Sequence, residues 1–455
     1  MNRFKKQIAK LLVCAFIFTS VFMQYGTVFA RDSKPNIQKD RVEILVKYRN
    51  DSRADAVKTR VKNRLKMDRL ETRKKHKRSK VDVVEIGQGD DMAKVIDELK
   101  KDPDVQYAQP NYKLSLSAEP SDDRFDEQWG LLNRGQAINH TSGTKGVDIG
   151  ALAAWDETMG MPSVLVGILD TGIDTGHRDL KANIFGNTGE IAGNGIDDDG
   201  NGYIDDMTGW DFTNDDGTVY DDSSGDAHGT HVAGIMAASG NGQGVVGVAP
   251  NVTLLPLKFI NGTTGYTSDA IEAIEYAARM GVKIMNCSFV GSDYNQALKD
   301  AMAASDMLFV CAAGNNARDI SASPVYPAAF GLQNQITVAA VDNRGYLAAF
   351  SNYGPKVTLA APGVAIMSTT PEDRYGYMSG TSMAAPFVAG VAALVKSSTP
   401  DMTPAQIAAR LKNTVNRVSG VDGRVAANGM VNAHRALGNT TTDSHDDDNG
   451  IETNR

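Results

Sequence analysis

The chain has 455 residues, 42% of them hydrophobic, which is long enough for a sizeable core with one or two smaller domains. Its formal net charge of −8 is unevenly divided, because residues 31–116 carry 23 Lys and Arg against 15 Asp and Glu, whereas residues 117–455 carry 20 against 40. Only three cysteines are present, one of them within the first 30 residues, which excludes the class of small secreted scaffolds held together by dense disulfides.

Residues 1–30 have the parts of a secretory signal peptide. Four basic residues precede the apolar run LLVCAFIFTSVF, and Val28-Phe29-Ala30 supplies a small-residue cleavage site. The alternative of a lipidation box ending at Cys14 is disfavoured, because Val13 is bulky there and little apolar sequence precedes it. We therefore expect a secreted protein, extracellular or associated with the cell wall, without a membrane span.

Residues 31–116 are predicted to form a small α+β domain. The run VEILVKY at 42–48 alternates as a strand does, and further strands are predicted at 81–86 and around Val105. Helices are predicted where apolar residues recur at helical spacing, first at Ala54, Val57, Val61 and Leu65, and again at Met92, Val95, Ile96 and Leu99.

The basic run RKKHKRSK at 73–80 has three interpretations. Such a run can be a solvated loop or a nucleic-acid contact. The acidic charge of the rest of the chain favours the third, in which the two parts bind one another, because opposite fields speed and orient association. We therefore expect no nucleic-acid partner.

From residue 117 to 437 the pattern changes to continuously apolar strands that alternate with helices, which is typical of a parallel sheet covered on both faces. Between two strands, Ser268 is predicted to cap a helix with Ile271 and Ile274 on its inner face and Gly281 beyond its end. Sites in such sheets gather at the carboxyl ends of the strands. The predicted strands are 163–169, 252–258, 282–287, 307–313 and 335–341.

Two expectations concern the cysteines and the C-terminus. Cys287 and Cys311 fall in predicted strands and are expected to be buried thiols rather than a bridge, although the sequence does not decide whether they pair. Residues 438–455 contain too little apolar sequence to pack, so they are predicted to form a disordered tail.

The stretch ILDTGIDTGHRDL at 168–180 contains Asp-Thr-Gly twice, at Asp170 and at Asp174. Aspartic proteases use this tripeptide, but they need two such loops face to face so that their carboxylates share a proton. Two copies four residues apart cannot meet in that way. Asp170 directly follows a predicted strand, where a site is expected, and Asp174 is predicted to be a turn residue that hydrogen-bonds its own backbone.

Two further motifs contain His228 and Ser382. In DAHGTHVAGIMAA at 226–238, the three-residue spacing of His228 and His231 without an intervening Glu does not fit the zinc-protease pattern. His231 is expected to be structural, and Gly229 and Gly234 are expected to permit close packing. In SGTSMAAPFVAGVAALV at 379–395, Ser382 lies where a Gly-rich turn enters an apolar helix, a place where a Ser is usually only a cap.

Taken together, ILDTGID, HGTHVAGI and GTSMAAPFVAG resemble the motifs of the subtilisin-like serine proteases, or subtilases, whose triad occurs in the order Asp, His, Ser. The resemblance spans about residues 121–437. It implies an α/β, three-layer subtilisin-like fold with a mostly parallel central sheet, preceded by a small α+β ferredoxin-like propeptide domain. It also implies a serine endopeptidase in which Ser382 is the nucleophile, His228 the general base and Asp170 the carboxylate that orients it. Asn315, in CAAGNN, matches the family's oxyanion asparagine.

The resemblance also implies a substrate pocket. Its walls would be formed by Ser288, Phe289, Val290, Ala312, Ala313 and Gly314. Family members often have Gly where Val290 stands, and Val325 is expected at the pocket floor. Because both side chains would narrow the pocket, we expect a preference for smaller apolar residues before the scissile bond.

Two structural calcium sites are predicted. The insert NGIDDDGNGYIDDMTGWDF at 194–212 has oxygen ligands at EF-hand-like spacing, but Thr208 stands where that loop requires Glu, and a merely solvated acidic turn is the alternative. The expected ligands are Asp197, Asp199, Asn201 and Asp205, with Asp206 closing the shell. By resemblance, a second site is held by Asp179 and the loop around Asn241, assisted by Gln128, Ser239, Gln243 and Val245. Bound Ca2+ would stabilise the folded form in place of disulfides.

The front domain, which ends in YAQPNYKL, resembles the family's intramolecular-chaperone propeptide. Its last strand would lie in the substrate cleft and inhibit the enzyme until self-cleavage between about Lys113 and Arg124. The expected partners are protein or peptide substrates and this propeptide, and the mature enzyme is expected to be a monomer. His228 disfavours a sedolisin-like acid peptidase, which has Glu in place of the histidine, and the intact triad disfavours a non-catalytic scaffold.

Overall fold

The structure is a computed structural model that describes residues 43–76, 78–87, 90–111 and 119–438. The predicted signal peptide and the predicted tail after residue 438 lie outside these residues, as do residues 113–118, the first half of the segment expected to contain the maturation cleavage. The described residues divide into two compact units, one within residues 43–111 and one within residues 119–438. In the part of the chain that the structure describes, no helix has the length and apolar character needed to span a bilayer.

The N-terminal unit has four antiparallel strands and two helices. In chain order they are β1 (Glu43–Tyr48), α1 (Ala54–Leu65), β2 (Leu70–His76), β3 (Val81–Ile86), α2 (Met92–Lys100) and β4 (Val105–Pro110), with a 3-10 helix at Asp51–Arg53. The strands lie in the order β2-β3-β1-β4. This split β-α-β arrangement confirms the predicted ferredoxin-like topology.

Strand β2 was not predicted. It is an edge strand paired only with β3, and apart from Leu70 its side chains are largely exposed. Of the basic run, residues 73–76 are therefore the end of a strand and residues 78–80 form a turn. Arg73 pairs with the buried carboxylate of Glu43 at 2.5 Å, so part of the positive charge is neutralised within the unit.

The second unit contains fifteen strands and seven helices in the described residues. The strands are β5 (Ala137–Ile138), β6 (Thr141–Ser142), β7 (Leu165–Asp170), β8 (Trp210–Asp211), β9 (Thr253–Lys258), β10 (Ile260–Asn261), β11 (Thr264–Gly265), β12 (Ile284–Cys287), β13 (Leu308–Ala312), β14 (Gln335–Val341), β15 (Leu359–Pro362), β16 (Ile366–Thr370), β17 (Arg374–Met378), β18 (Asn416–Arg417) and β19 (Gly429–Met430). The helices are α3 (Ala151–Trp155), α4 (Ala227–Ala237), α5 (Thr267–Arg279), α6 (Gln296–Ala304), α7 (Thr381–Ser398), α8 (Pro404–Asn413) and α9 (Ala433–Ala436), with 3-10 helices at Phe125–Glu127 and Ser419–Val421.

Nine of these strands form the central sheet, in the order β18-β19-β15-β14-β13-β12-β7-β9-β8. All neighbours are parallel except β18 and β19. Alternate residues of a strand face opposite sides of the sheet. Val166 and Ile168 of β7 accordingly join one core with residues of α4 and α7, whereas Leu169 joins the other core with residues of α5. These two cores confirm the predicted three-layer arrangement.

All five strands predicted for this unit are present, with ends that differ from the predicted ones by at most two residues. The predicted cap at Ser268 is wrong, because α5 begins at Thr267 after Tyr266 and the Ser268 hydroxyl donates to Asp269. Cys287 and Cys311 are register partners in β12 and β13 and are buried free thiols, as expected. Burial raises the pKa of Cys287 above its usual value.

Candidate active site

The strand order places a candidate site beside β7. The chain runs from β7 to β9 on one side and then returns to β12 on the other side, so the space between the carboxyl ends of β7 and β12 is a topological switch point. Asp170 is the last residue of β7, and Ser288 directly follows β12. Ala313, Gly314 and Asn315 follow β13, the next strand along.

Asp170 and His228 are in contact at this edge of the sheet. The Nδ1 of His228 donates to Oδ1 of Asp170 at 2.7 Å, and the backbone N–H of Thr171 donates to the same oxygen at 2.8 Å. The Asp170 side chain is buried, whereas 37% of the His228 side chain is exposed. With its proton on Nδ1, a neutral His228 keeps the lone pair of Nε2 free to accept a proton.

The charge state of His228 is set by two opposing effects. Burial lowers the pKa of His228, but the charge of Asp170 and the hydrogen bond to it outweigh burial and raise the pKa above its ordinary value of 6.5. His228 is therefore protonated more readily in this site than a free histidine is in water, because Asp170 stabilises the imidazolium. This is the property expected of a base that must hold a proton during a reaction.

Helix α4 fixes His228 by close packing. Because Gly229 lies against Gly172, a Cβ at position 229 would come within 2.2 Å of the Gly172 carbonyl oxygen. A Cβ at Gly234 would come within 2.2 Å of Thr369 Oγ1. The expectation that these two glycines permit close packing is therefore confirmed.

Ser382 is the second residue of α7 and is joined to the end of β12. Its hydroxyl donates to the Ser288 carbonyl at 2.9 Å, and the Ser288 hydroxyl donates to the Ser382 carbonyl at 2.8 Å. Buried Asn286 in turn donates its Nδ2 to the Ser288 hydroxyl at 2.9 Å. Reciprocal bonds thus hold the first turn of α7 against β12.

Asn315 is oriented by the residue before Ser382. Its Oδ1 accepts hydrogen bonds from the Thr381 backbone N–H at 2.9 Å and the Thr381 hydroxyl at 3.0 Å. Its Nδ2 donates to no protein group within the described ranges. The Asn315 amide is therefore held with a donor available beside Ser382.

Two of the predicted pocket-wall residues, Val290 and Gly314, lie close to one another. Gly314 is so near Val290 that a Cβ at 314 would be 3.5 Å from Val290 Cγ2. Val290 is 38% exposed, whereas Val325, Ala312 at the end of β13 and Ala313 directly after it are buried. The Phe289 ring packs against Phe259 with their centroids 4.6 Å apart.

The second Asp-Thr-Gly and the second histidine have the structural roles predicted for them. Asp174 accepts from the Gly176 backbone N–H at 3.1 Å and also from the Glu372 N–H at 2.8 Å. His231 is buried with Nε2 at 3.1 Å and 3.0 Å from the Ile366 and Gly376 carbonyl oxygens. Burial lowers the pKa of His231 to about 4, so it is a neutral donor that ties α4 to the β16–β17 hairpin.

The acidic insert brings three carboxylates together, namely Glu190, Asp199 and Asp206, with ligand oxygens all within 4.8 Å of one another. Asn201 Nδ2 bridges Asp199 and Asp206 at 3.2 Å and 2.9 Å. Glu190 was missed by sequence reasoning because it lies before the EF-hand-like spacing begins.

Asp197 and Asp205 are not part of this cluster. The Asp197 carboxylate accepts from the backbone N–H groups of Asn201 and Gly202, and the Asp205 carboxylate accepts from those of Asn194 and Gly195. The two side chains thus stabilise the loop itself.

The second predicted calcium ligand set is centred on Asp179, which is fully buried. Its Oδ1 accepts from Asn241 Nδ2 at 3.0 Å and its Oδ2 from the Val245 N–H at 3.1 Å, while the Ser239 N–H donates to its carbonyl at 2.8 Å. Gln243 belongs to the same loop, where its N–H donates to Asn241 Oδ1 at 2.9 Å.

The Gln128 side chain does not contact the Asp179 carboxylate. Both ends of its amide pair with the Val246 backbone, at 2.8 Å and 3.0 Å. Asp122, which sequence reasoning missed, accepts instead from the N–H groups of Asn241 and Gly242. Burial raises the pKa of Asp122, and the nearby charge of Asp179 raises it further.

Comparisons with known proteins agree with this geometry. The subtilase family profile matches residues 162–444, and the profile of the fervidolysin N-terminal prodomain matches residues 41–111. The chain belongs to the subtilase family and is a subtilisin-like serine protease with an N-terminal prodomain. The predicted fold class and family are therefore confirmed.

Individual relatives support the same assignment. A thermophilic serine proteinase of Bacillus sp. strain AK1 is 34% identical over 367 residues, which cover 79% of this chain and 79% of that protein. The solved structure of a protease from Pseudoalteromonas arctica has a TM-score of 0.58 and 30% identity, covering 70% of this chain and 99% of that one. Fervidolysin from Fervidobacterium pennivorans, a keratinolytic enzyme related to subtilisin, has a TM-score of 0.54 and 26% identity, covering 88% and 61%.

Proposed function

We propose that the protein is a secreted, calcium-stabilised serine endopeptidase, made as a self-processing zymogen, that hydrolyses peptide bonds with Asp170, His228 and Ser382. The observation that carries this proposal is the 2.7 Å hydrogen bond between His228 and Asp170 at the sheet edge where β12 holds Ser382. Asn315 lies beside Ser382 with its Oδ1 already engaged, and this supports a role for its Nδ2 as an oxyanion donor.

The reaction begins when the Ser382 hydroxyl leaves the Ser288 carbonyl and turns to Nε2 of His228. As Oγ bonds to the scissile carbonyl carbon, its proton passes to Nε2, and the Asp170 carboxylate stabilises the resulting imidazolium. The carbonyl oxygen gains negative charge, which the Asn315 amide and the Ser382 backbone N–H stabilise by hydrogen bonds. The imidazolium then gives its proton to the leaving amine, and water releases the acyl group by the same steps.

Substrate selection depends on Val290 and Val325. An extended peptide would lie along Ser288–Val290 and Ala312–Gly314, with the side chain before the scissile bond between them. The short distance from Gly314 to Val290 and the burial of Val325 support a narrow pocket that accepts small apolar residues.

Calcium is proposed at two places. In the insert, Glu190, Asp199 and Asp206 supply carboxylate oxygens, and Asn201 can contribute its carbonyl oxygen when its amide is turned over. At the other place, buried Asp179 lies near Asp122 with the Asn241 loop between them. Two neighbouring buried carboxylates repel, and a bound cation would remove that repulsion.

The N-terminal sequence supports secretion and maturation. The signal-like residues 1–30 support export, and the prodomain at 41–111 supports synthesis as a zymogen whose own cleavage falls between about Lys113 and Arg124. The partners are protein or peptide substrates and the prodomain itself, and the mature enzyme would act as a monomer.

The test compares the secreted wild type with Ser382→Ala. The wild type should mature to a smaller mass and react with a fluorophosphonate probe, whereas Ser382→Ala should accumulate as the full-length chain and remain unlabelled. As a matched control, Ser379→Ala in the same turn should mature and react normally. A Ser382→Ala chain that still processes itself, or a mature wild type that ignores the probe, contradicts the proposal.

A further inference from the structure

Lys258, the last residue of β9, is a buried lysine outside the proposed triad. Only 2% of its side chain is exposed. Its ammonium group donates to Asp226 Oδ1 at 2.5 Å and to the Thr171 carbonyl, and it lies 3.3 Å from Asp221 Oδ2. Lysines are almost never fully buried unless they are paired, so the position of Lys258 indicates a specific structural or functional role.

The groups that Lys258 contacts belong to the two segments that carry the proposed base and its carboxylate. Thr171 directly follows Asp170, and Asp226 precedes the first turn of α4, two residues before His228. A second link joins the same segments, because the Gly229 N–H donates to Thr171 Oγ1 at 3.1 Å. Lys258 thus ties the residue after β7 to the residue before α4.

The buried carboxylate of Asp226 has the Lys258 ammonium group as its counter-ion. It is fully buried, and its other oxygen accepts from the N–H groups of Asp221 and Asp222 at 2.6 Å and 3.2 Å. Burial lowers the pKa of Lys258, but its hydrogen bond to Asp226 and the charges of Asp226, Asp221 and Asp211 outweigh burial and raise it. Lys258 therefore remains an ammonium ion, and in its absence the Asp226 carboxylate would be buried without a counter-ion.

We propose that Lys258 is a positioning residue for catalysis: it holds the loop after Asp170 against the first turn of α4 and neutralises Asp226, so that His228 keeps its alignment and its basicity. The proposal rests on the proposed triad. Lys258 ends β9, which lies on the opposite side of β7 from β12. Its ammonium group contacts Thr171, Asp226 and Asp221 and none of the predicted pocket residues among those described. Its loss should therefore affect proton transfer more than substrate binding.

The test is Lys258→Met in the full-length chain, with Lys283→Met as the matched control, because Lys283 forms an exposed ion pair with Asp306 at 3.1 Å. We expect Lys258→Met to lower kcat for a soluble peptide substrate by about 10- to 100-fold, as small misplacements of reacting groups do, with KM nearly unchanged. The acid limb of kcat/KM should move to higher pH, because unpaired Asp226 adds negative charge near His228, which otherwise faces Asp170 from β7 and His231 from its own helix. Lys283→Met should match the wild type.

A second variant separates electrostatics from folding. Lys258→Met with Asp226→Asn removes both charges, so we expect it to fold and to return the acid limb to the wild-type pH while kcat stays low. If Lys258→Met does not mature, the His228 titration is measured by NMR in the full-length Ser382→Ala background, with His228→Ala to assign the signal.

The possible results distinguish this proposal from the one on which it rests. A folded Lys258→Met chain with wild-type kcat, or one with lowered thermal stability but an unmoved acid limb and an unchanged His228 titration, overturns the positioning role. Failure of the wild type itself to react with the fluorophosphonate probe would instead overturn the triad.

Discussion

Asp170 and His228 are 58 residues apart in the chain, yet a 2.7 Å hydrogen bond joins them because the first turn of α4 packs against the end of β7. The bond has a predictable effect on pH dependence. The base must be neutral to take the Ser382 proton, so kcat/KM should rise as pH increases through the pKa of His228. Because the Asp170 interaction raises this pKa, the rise should be centred above pH 6.5.

Asp170→Asn tests this interaction. Without the carboxylate charge, burial acts unopposed on His228, so its pKa should fall and the acid limb of kcat/KM should move to lower pH. At the same time kcat should fall by about 10,000-fold, since the imidazole loses the partner that fixes its tautomer. The pH profile of a purified, matured variant measures both effects. An acid limb that stays at the wild-type pH would show that Asp170 does not set the pKa of His228.

Asn315→Ala tests the oxyanion donor. Removal of one such donor in a subtilisin costs about 100- to 1000-fold in kcat, and we expect a loss of that size here with KM little changed. The neighbouring exposed residue gives the control, because Asn316→Ala should retain activity. Steady-state kinetics on a peptide substrate decide the matter, and equal kcat for the two variants would remove Asn315 from the mechanism.

At the scale of elements, the sequence predicted the strands of the central sheet well because they are buried on both faces and therefore apolar throughout. It failed for β2, whose edge position leaves polar side chains at nearly every residue. The triad motifs were equally readable, since each chemistry-bearing residue lies in a distinctive local sequence. Asp122, Glu190 and Lys258 were missed because their importance comes from contacts between distant segments, which no local pattern records.

The wall after β12 gives a prediction about substrate choice. Val290→Gly removes the side chain that lies opposite Gly314, so the pocket should widen. We expect kcat/KM for substrates with Phe before the scissile bond to increase relative to those with Ala, and Val290→Ala should give an intermediate ratio. Cleavage of a peptide library measures the ratio. A wild type that already prefers large aromatic residues would contradict the narrow-pocket interpretation.

At the scale of the whole molecule, the catalytic unit has no disulfide among its described residues, since Cys287 and Cys311 are free. It also contains buried carboxylates close to one another at Asp122 and Asp179 and a three-carboxylate cluster in the insert. Both features would be stabilised by a divalent cation that binds only the folded form.

Calcium removal should therefore lower the stability of the mature enzyme. At calcium concentrations 100 times Kd, one site contributes about 2.7 kcal/mol, which corresponds to a change in Tm of about 4 °C for a domain of about 320 residues. Asp199→Asn should reduce the effect of a chelator on Tm, because it removes a cluster oxygen. Asp198→Asn, which removes the same charge from the same loop outside the cluster, should leave the chelator effect intact. Thermal unfolding of an active-site-blocked enzyme, with and without chelator, measures this without autolysis. Equal chelator effects in the two variants would show that the insert holds no calcium, and no effect in the wild type would exclude both sites.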